Sequence, residues 1–190
     1  STKGPLRSGT GAFVEDAIRP RVTAHFADLL VAAVTHPIMV DYLDQTWSTG
    51  PNSRAAQRAA DRDTGRNKGL NENLAREVLE LHTLGVDGPY DQRDVRQLAT
   101  LFAGLSYSLE EGRVFRSARA QPGEKTVLGR RYSGPRAHMG DVEAVLHDLA
   151  AHPATAAHLA RKLAVHFVSD TPDPALVSAL RDAFLDTGGD

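Results

Sequence analysis

From Asn71 to Gly85 the chain reads Asn-Glu-Asn-Leu-Ala-Arg-Glu-Val-Leu-Glu-Leu-His-Thr-Leu-Gly, a segment that carries its own start, period and stop. Gly69 interrupts what precedes it, the Asn71 side-chain oxygen can accept from the unpaired N–H groups of a first turn, and Gly85 can take the left-handed conformation that ends helices. These signals predict one uninterrupted helix over 71–84, about four turns long. At about 100° per residue, Leu74, Ala75, Val78, Leu79 and Leu81 gather on one flank, and Glu72, Asn73, Arg76, Glu77, Glu80 and Thr83 on the other. Burying its large aliphatic side chains would contribute about 1.5–3 kcal/mol each before chain entropy opposes it, so packing rather than propensity holds such a helix. Val86 is expected to fold back onto Leu81.

The polar flank holds the candidate functional residues. Glu72, Arg76 and Glu80 are spaced four apart, a ladder with the cation between two anions; as an exposed row it contributes about 0–1 kcal/mol per pair. Glu77 and Glu80, three apart, could act together in proton transfer or on a divalent cation, which makes Glu77, Glu80 and His82 the catalytic candidates and the two acids the metal candidates. Two ligands do not complete a metal site, and no cofactor is expected. His82 lies two residues beyond Glu80 and so about 160° away on an unbroken helix, on the apolar side, as a neutral imidazole bonded to a carbonyl or carboxylate. Asn71, Asn73 and Arg76 are the binding candidates on this edge.

The rest of the chain is predicted mainly helical. Phe26, Leu29, Leu30, Ala33 and Val34 keep a buried helical period; Pro37 opens the next helix behind a capping His36. Thr46 to Gly69 is a polar connector with Arg54, Arg58, Arg62 and Arg66 on one stripe and Trp47 anchoring it to the core. Asp91 caps a second amphipathic helix running through Val95, Leu98, Phe102 and Leu105. Ser106 to Met139 reads as a long basic loop, with Val114-Phe115 and Thr126-Val127-Leu128 as short strand candidates; Arg130 and Arg131 are its binding candidates for sulfate, phosphate or an anionic sugar. Asp141, Pro153 and Pro174 open the last three helices. His36-Pro37 and His152-Pro153 share one corner pattern, in which the histidines serve as caps. The fold expected is all-α: a multi-helix, orthogonal or bundle-like single domain over 1–190 with a flexible 1–11, a connector at 46–69, and a basic insertion at 106–139 able to hold a short hairpin.

At 190 residues one core is feasible, and a net charge of −2 with 6% aromatic residues argues against nucleic acid as a partner. With no cysteine, neither a disulfide nor a thiolate nucleophile is available. No apolar run reaches the ~18 residues of a membrane span, and Ser1 to Gly11 lacks a signal-peptide core.

The run Asn71 to Gly85, followed by Tyr90, Asp94-Val95 and Leu98-Ala99, resembles the signature of the bacterial domain-of-unknown-function family number 1800. His36-Pro37-Ile38-Met39, Tyr42-Leu43-Asp44, Lys125-Thr126-Val127-Leu128-Gly129, His152-Pro153-Ala154-Thr155-Ala156, Lys162-Leu163 and Phe167-Val168 extend the likeness over nearly the whole chain. The resemblance implies an exported bacterial protein, longer than this chain, working with a sulfatase-like companion protein. Ala120-Gln121 stands where the family is expected to carry a histidine followed by an acid, and Ala103-Gly104-Leu105 where a Thr-Gly-Trp-like end is expected. Two functions fit: a non-catalytic adaptor or binding module, which requires fewer additional residues, and a metal- or acid/base-dependent, hydrolase-like enzyme with its site on the polar face of helix 71–84.

Overall fold

A computed structural model describes residues 9–61 and 69–190. Helix α1 (Thr10–Phe13) continues as a π-turn through Ile18 and a 3-10 turn at Arg19–Arg21. Helices α2 (Phe26–Val34) and α3 (Pro37–Tyr42) meet at His36, whose Nδ1 accepts from the Ile38 N–H at 3.2 Å. His152 does the same for Ala154 at 3.1 Å ahead of α8 (Pro153–Phe167), so both His-Pro corners are caps of one geometry. Residues Arg54–Asp61 of the polar connector form α4, started by Ser53 Oγ, which accepts from the Ala56 N–H. Arg62 and Arg66 lie outside the described residues.

The core is built where α5 (Asn73–Glu77), α6 (Gln92–Phe102), α7 (Met139–Ala150) and α2 turn their apolar faces together: Leu30, Val34, Leu74, Leu79, Leu98, Phe102, Val142 and Leu146 are all buried. Asp91 caps α6 by accepting from the Arg93 and Asp94 N–H groups. Asp141 serves α7 differently from the expectation: it stands inside the first turn and accepts from the His138 N–H at 2.9 Å. Helix α9 (Pro174–Asp186) packs on α8 and on the start of α2, where Phe184 meets Phe26 edge-on at 5.9 Å.

The expected all-α class is corrected by two antiparallel hairpins. Strand β1 (Leu105–Ser108) pairs with β2 (Gly112–Phe115), Leu105 opposite Phe115, and β3 (Lys125–Val127) pairs with β4 (Arg130–Tyr132). The fold is helix-dominated and mixed. Leu105 prolonged the apolar pattern of α6 on paper, yet the helix stops at Phe102 and Gly104, at φ +106°, turns the chain into β1. Strands of three and four residues are too short to display a period of two; burial of Leu105, Val127 and Tyr132 in the helical core holds them.

The central helix also departs from the straight coil. It is α-helical over Asn73–Glu77 and π-helical over Val78–His82. A π-turn closes i→i+5 bonds and takes in one residue more than an α-turn, so every later side chain falls behind the α phase. Leu81 is therefore 46% exposed, and Thr83, placed on the polar flank by a straight coil, is fully buried. Its Oγ1 donates to the Val78 carbonyl at 2.7 Å, satisfying an acceptor inside the widened turn. Gly85 ends the helix at φ +89°, its N–H on the Leu79 carbonyl. Val86 is largely exposed, so the fold-back expected for it does not bury its side chain.

Candidate functional site

The π-turn and α8 each bring one imidazole to the same region, His82 from the turn and His158 from the helix. His82 is half-buried, and the Glu77 carboxylate five residues back acts on it electrostatically. Burial lowers its pKa, the Glu77 carboxylate opposes that shift and the Lys162 ammonium adds to it. From α8, His158 hydrogen-bonds the Leu81 backbone, and its pKa is lowered by burial, opposed by that bond and assisted by Lys162. Lys162, one turn further along α8, reaches the Leu81 carbonyl with Nζ at 3.4 Å, where the helix leaves acceptors unpaired and a cation suits its dipole. His82 Nδ1 and His158 Nε2 are buried without a protein partner. Both rings are neutral near pH 7, and each retains an unused hydrogen-bonding nitrogen.

These groups border a continuous apolar trench. A cavity of about 280 Å³ between α1, α2 and the π-turn includes Phe13, Leu30, His82 and Lys162 in its lining. It shares Phe26, Leu29, Leu159 and Lys162 with a groove of about 850 Å³ running between the 3-10 turn, α8 and α9. Arg21, Arg161 and Lys162 bring positive charge to the groove, and Asp190 brings a carboxylate. Exposed Val22 (66%), Leu163 (51%) and Phe167 (75%) enlarge its apolar wall. Trenches of this size, with a few convergent polar groups of shifted pKa, are where small molecules and partner segments bind.

A model of the family described as a protein of unknown function, DUF1800, matches residues 2–190. The chain belongs to the DUF1800 family. Neither the curated proteins nor the solved structures yield a match. In this DUF1800 chain, Ala120-Gln121 brackets the insertion to the turn ahead of α4: Ala120 is buried, Gln121 Oε1 accepts from the Asn52 N–H at 3.0 Å, and a Cβ at Gly50 would meet the Gln121 backbone at 2.7 Å.

The other residues singled out from the sequence separate into different places. Arg76 pairs with Glu80 at 3.0 Å and with Glu72 at 3.5 Å, and also donates to Gln92, which in turn donates to Glu72 at 2.8 Å. This clasp joins α5 to α6 and engages the Glu80 carboxylate, while the Glu77 carboxylate acts electrostatically on His82. No cluster of three or more potential metal ligands occurs among the described residues. Asn71 is a bracket: its Oδ1 accepts from the Asn73 N–H at 2.9 Å and its Nδ2 donates to the Leu43 carbonyl at 2.8 Å. Asn73 is exposed beside a cleft with Trp47. Arg130 pairs with Asp148, and Arg131 with Glu124 at 3.5 Å. Sequence reasoning missed His158 and Lys162 as partners of His82. Their four-residue spacing on α8 was the available signal, but their meeting with the π-turn is tertiary.

Proposed function

We propose that this DUF1800 domain is a non-catalytic binding module of an exported bacterial protein, and that its trench receives an amphipathic, acidic segment of a sulfatase-like companion. The observation that carries this reading is the exposed wall of Val22, Leu163 and Phe167 beside Arg21, Arg161 and Lys162. An apolar helix face flanked by acids complements such a groove in both shape and charge. The Arg76 clasp fits a structural task, since it ties two core helices together with groups that are already paired. The unused His82 and His158 nitrogens offer hydrogen bonds to the backbone or side chains of the entering segment.

Calorimetry of the purified domain with the purified companion tests the proposal. Wild type should bind, and Phe167→Glu, placed on an exposed position, should weaken binding by at least about tenfold without lowering stability. No binding, or binding indifferent to Phe167→Glu, refutes it.

One observation favours the hydrolase-like alternative: Glu77 lies close enough to His82 to influence its protonation, the arrangement of an oriented acid–base pair. Turnover of chromogenic carboxylate, phosphate or sulfate esters, with and without divalent cations, that is lost in both Glu77→Gln and His82→Asn would establish that reading instead.

A further inference from the structure

Among the described residues π-turns occur in two places, Val14–Ile18 after α1 and Val78–His82 after α5, and both border the inner cavity of the trench. Ile18 reaches it from the first turn, Leu81 and His82 from the second, and α2 contributes Leu29, Leu30 and Ala33. Such turns are rare and frequently mark functional sites; the additional residue takes side chains out of the phase in which they would pack into a core. Leu81 shows the effect, being 46% exposed on a helix whose Val78 and Leu79 are fully buried. Phe13, Ile18, Leu29 and Met39, which also line the cavity, are only half-buried. Two separate helical segments therefore give up regular packing where they border the same void.

The volume of this void, about 280 Å³, exceeds the roughly 150 Å³ at which an apolar cavity already takes up a benzene-sized molecule. Of its lining side chains only His82 and Lys162 are polar, the first neutral near pH 7 and the second its single charge. A sugar or a nucleotide would leave hydroxyls and phosphates without partners against such a wall. Lys162 lines both the cavity and the outer groove, and so stands where the two meet. Its ammonium carries three N–H donors, and Nζ lies 3.4 Å from the Leu81 carbonyl. Among the described residues no carboxylate comes within ion-pair distance of it. An apolar chamber with one cation at its opening complements a molecule made of an apolar tail and one anionic head.

We propose that this cavity binds a free fatty acid, with the aliphatic chain held between the two π-turns and the carboxylate on the Lys162 ammonium. Burial of the methylenes supplies the affinity, and the ion pair fixes which end faces out. The site adjoins the wall assigned to the companion protein without resting on that reading. Leu30, Ala33 and Met39 line the cavity and not the groove, while Phe167 lines the groove and not the cavity.

Titration calorimetry of the domain with hexanoate, octanoate and decanoate, and with octanol as the uncharged control, tests this. Saturable binding is expected, tightening about fourfold with each added methylene as more of the chain leaves water. Octanol should bind at least about threefold more weakly than octanoate, and Lys162→Gln should weaken octanoate by a similar factor, the size of one exposed ion pair. Ala33→Leu fills part of the cavity and should weaken octanoate at least about tenfold; Lys162→Gln, at an exposed position, keeps the test decisive if the filled variant fails to fold. Phe167→Ser, on the groove alone, should leave octanoate binding unchanged. Octanoate is titrated without the companion protein, so this proposal and the companion reading can each fail alone. The proposal is overturned by no saturable binding, by affinity that does not rise with chain length, by octanol binding as tightly as octanoate, or by undiminished binding to Lys162→Gln or to folded Ala33→Leu. Loss of octanoate binding in Phe167→Ser would place the chain in the outer groove and overturn it too, as would co-sedimentation with phosphatidylglycerol vesicles in place of octanoate binding.

Discussion

Replacing Gly85 by alanine tests the junction between the π-turn and α8 at its narrowest point. Gly85 has φ +89°, and a Cβ there would lie 2.7 Å from His158 Nδ1 and 3.3 Å from its Cε1 and Cγ. The left-handed backbone alone costs an L-residue about 1–2 kcal/mol. The ring must also move, forfeiting its bond to the Leu81 backbone, worth about 0.5–1.5 kcal/mol. Gly85→Ala should therefore destabilise by roughly 1.5–3.5 kcal/mol, the sum of the backbone and ring contributions. In a His158→Ala background there is no ring to displace, and the same change should cost only the backbone share. Urea unfolding of all four proteins, with equal m-values as the condition for comparison, gives a coupling of about 1 kcal/mol, above the ~0.5 kcal/mol within which independent sites add. A Gly85→Ala loss below about 0.5 kcal/mol, or an identical loss in both backgrounds, would refute the proposed steric contact.

Other outcomes follow from the same geometry. His82 and His158 have lowered native pKa values, so below about 6.5 the unfolded chain takes up protons that the native state refuses. Stability should then be complete above that pH and decline as pH falls towards the native values, by at most about 1.4 kcal/mol per pH unit per histidine. Urea midpoints between pH 7.5 and 5.5 should decline less steeply for His158→Gln, and an unchanged slope would contradict this. Thr83→Val leaves the buried Val78 carbonyl without its partner and should cost about 1–3 kcal/mol in chemical denaturation, while a neutral result would remove Thr83 from the account of the π-turn. Arg76→Met breaks two pairs whose arginine is 43% exposed, so the loss should stay within about 2 kcal/mol; a larger drop in calorimetric stability would mean that the clasp is more strongly coupled than its exposure indicates.

Local chemistry was legible where a signal is complete within one turn. Asn71, Asp91, His36 and His152 cap as their side chains dictate, Pro37, Pro153 and Pro174 open helices, and Gly85 is left-handed. The ladder of Glu72, Arg76 and Glu80 follows from spacing alone, and the structure adds Gln92 of α6. The π-turn was illegible because its five residues from Val78 to His82 suit a straight helix. What favours the wider turn is a buried Thr83 hydroxyl and a Gly85 pressed against His158, neither visible from helical angles. The hairpins were half legible: Val114-Phe115 and Thr126-Val127 are in strands, but partners at Leu105 and Arg130–Tyr132 lacked a period of their own.

The amino-acid sequence by itself determined the helical starts and stops, the apolar faces of the main helices and membership in the DUF1800 family, because capping, φ preference and hydrophobic period act within a few residues. Only the tertiary structure decided that Glu77 acts electrostatically on His82 while Glu80 joins Arg76, that His158 and Lys162 arrive from α8, and that Trp47 stays at the surface beside Arg119. Each of these depends on contacts between segments far apart in the chain, where packing can rotate a helix by one residue at a cost smaller than the burial it gains.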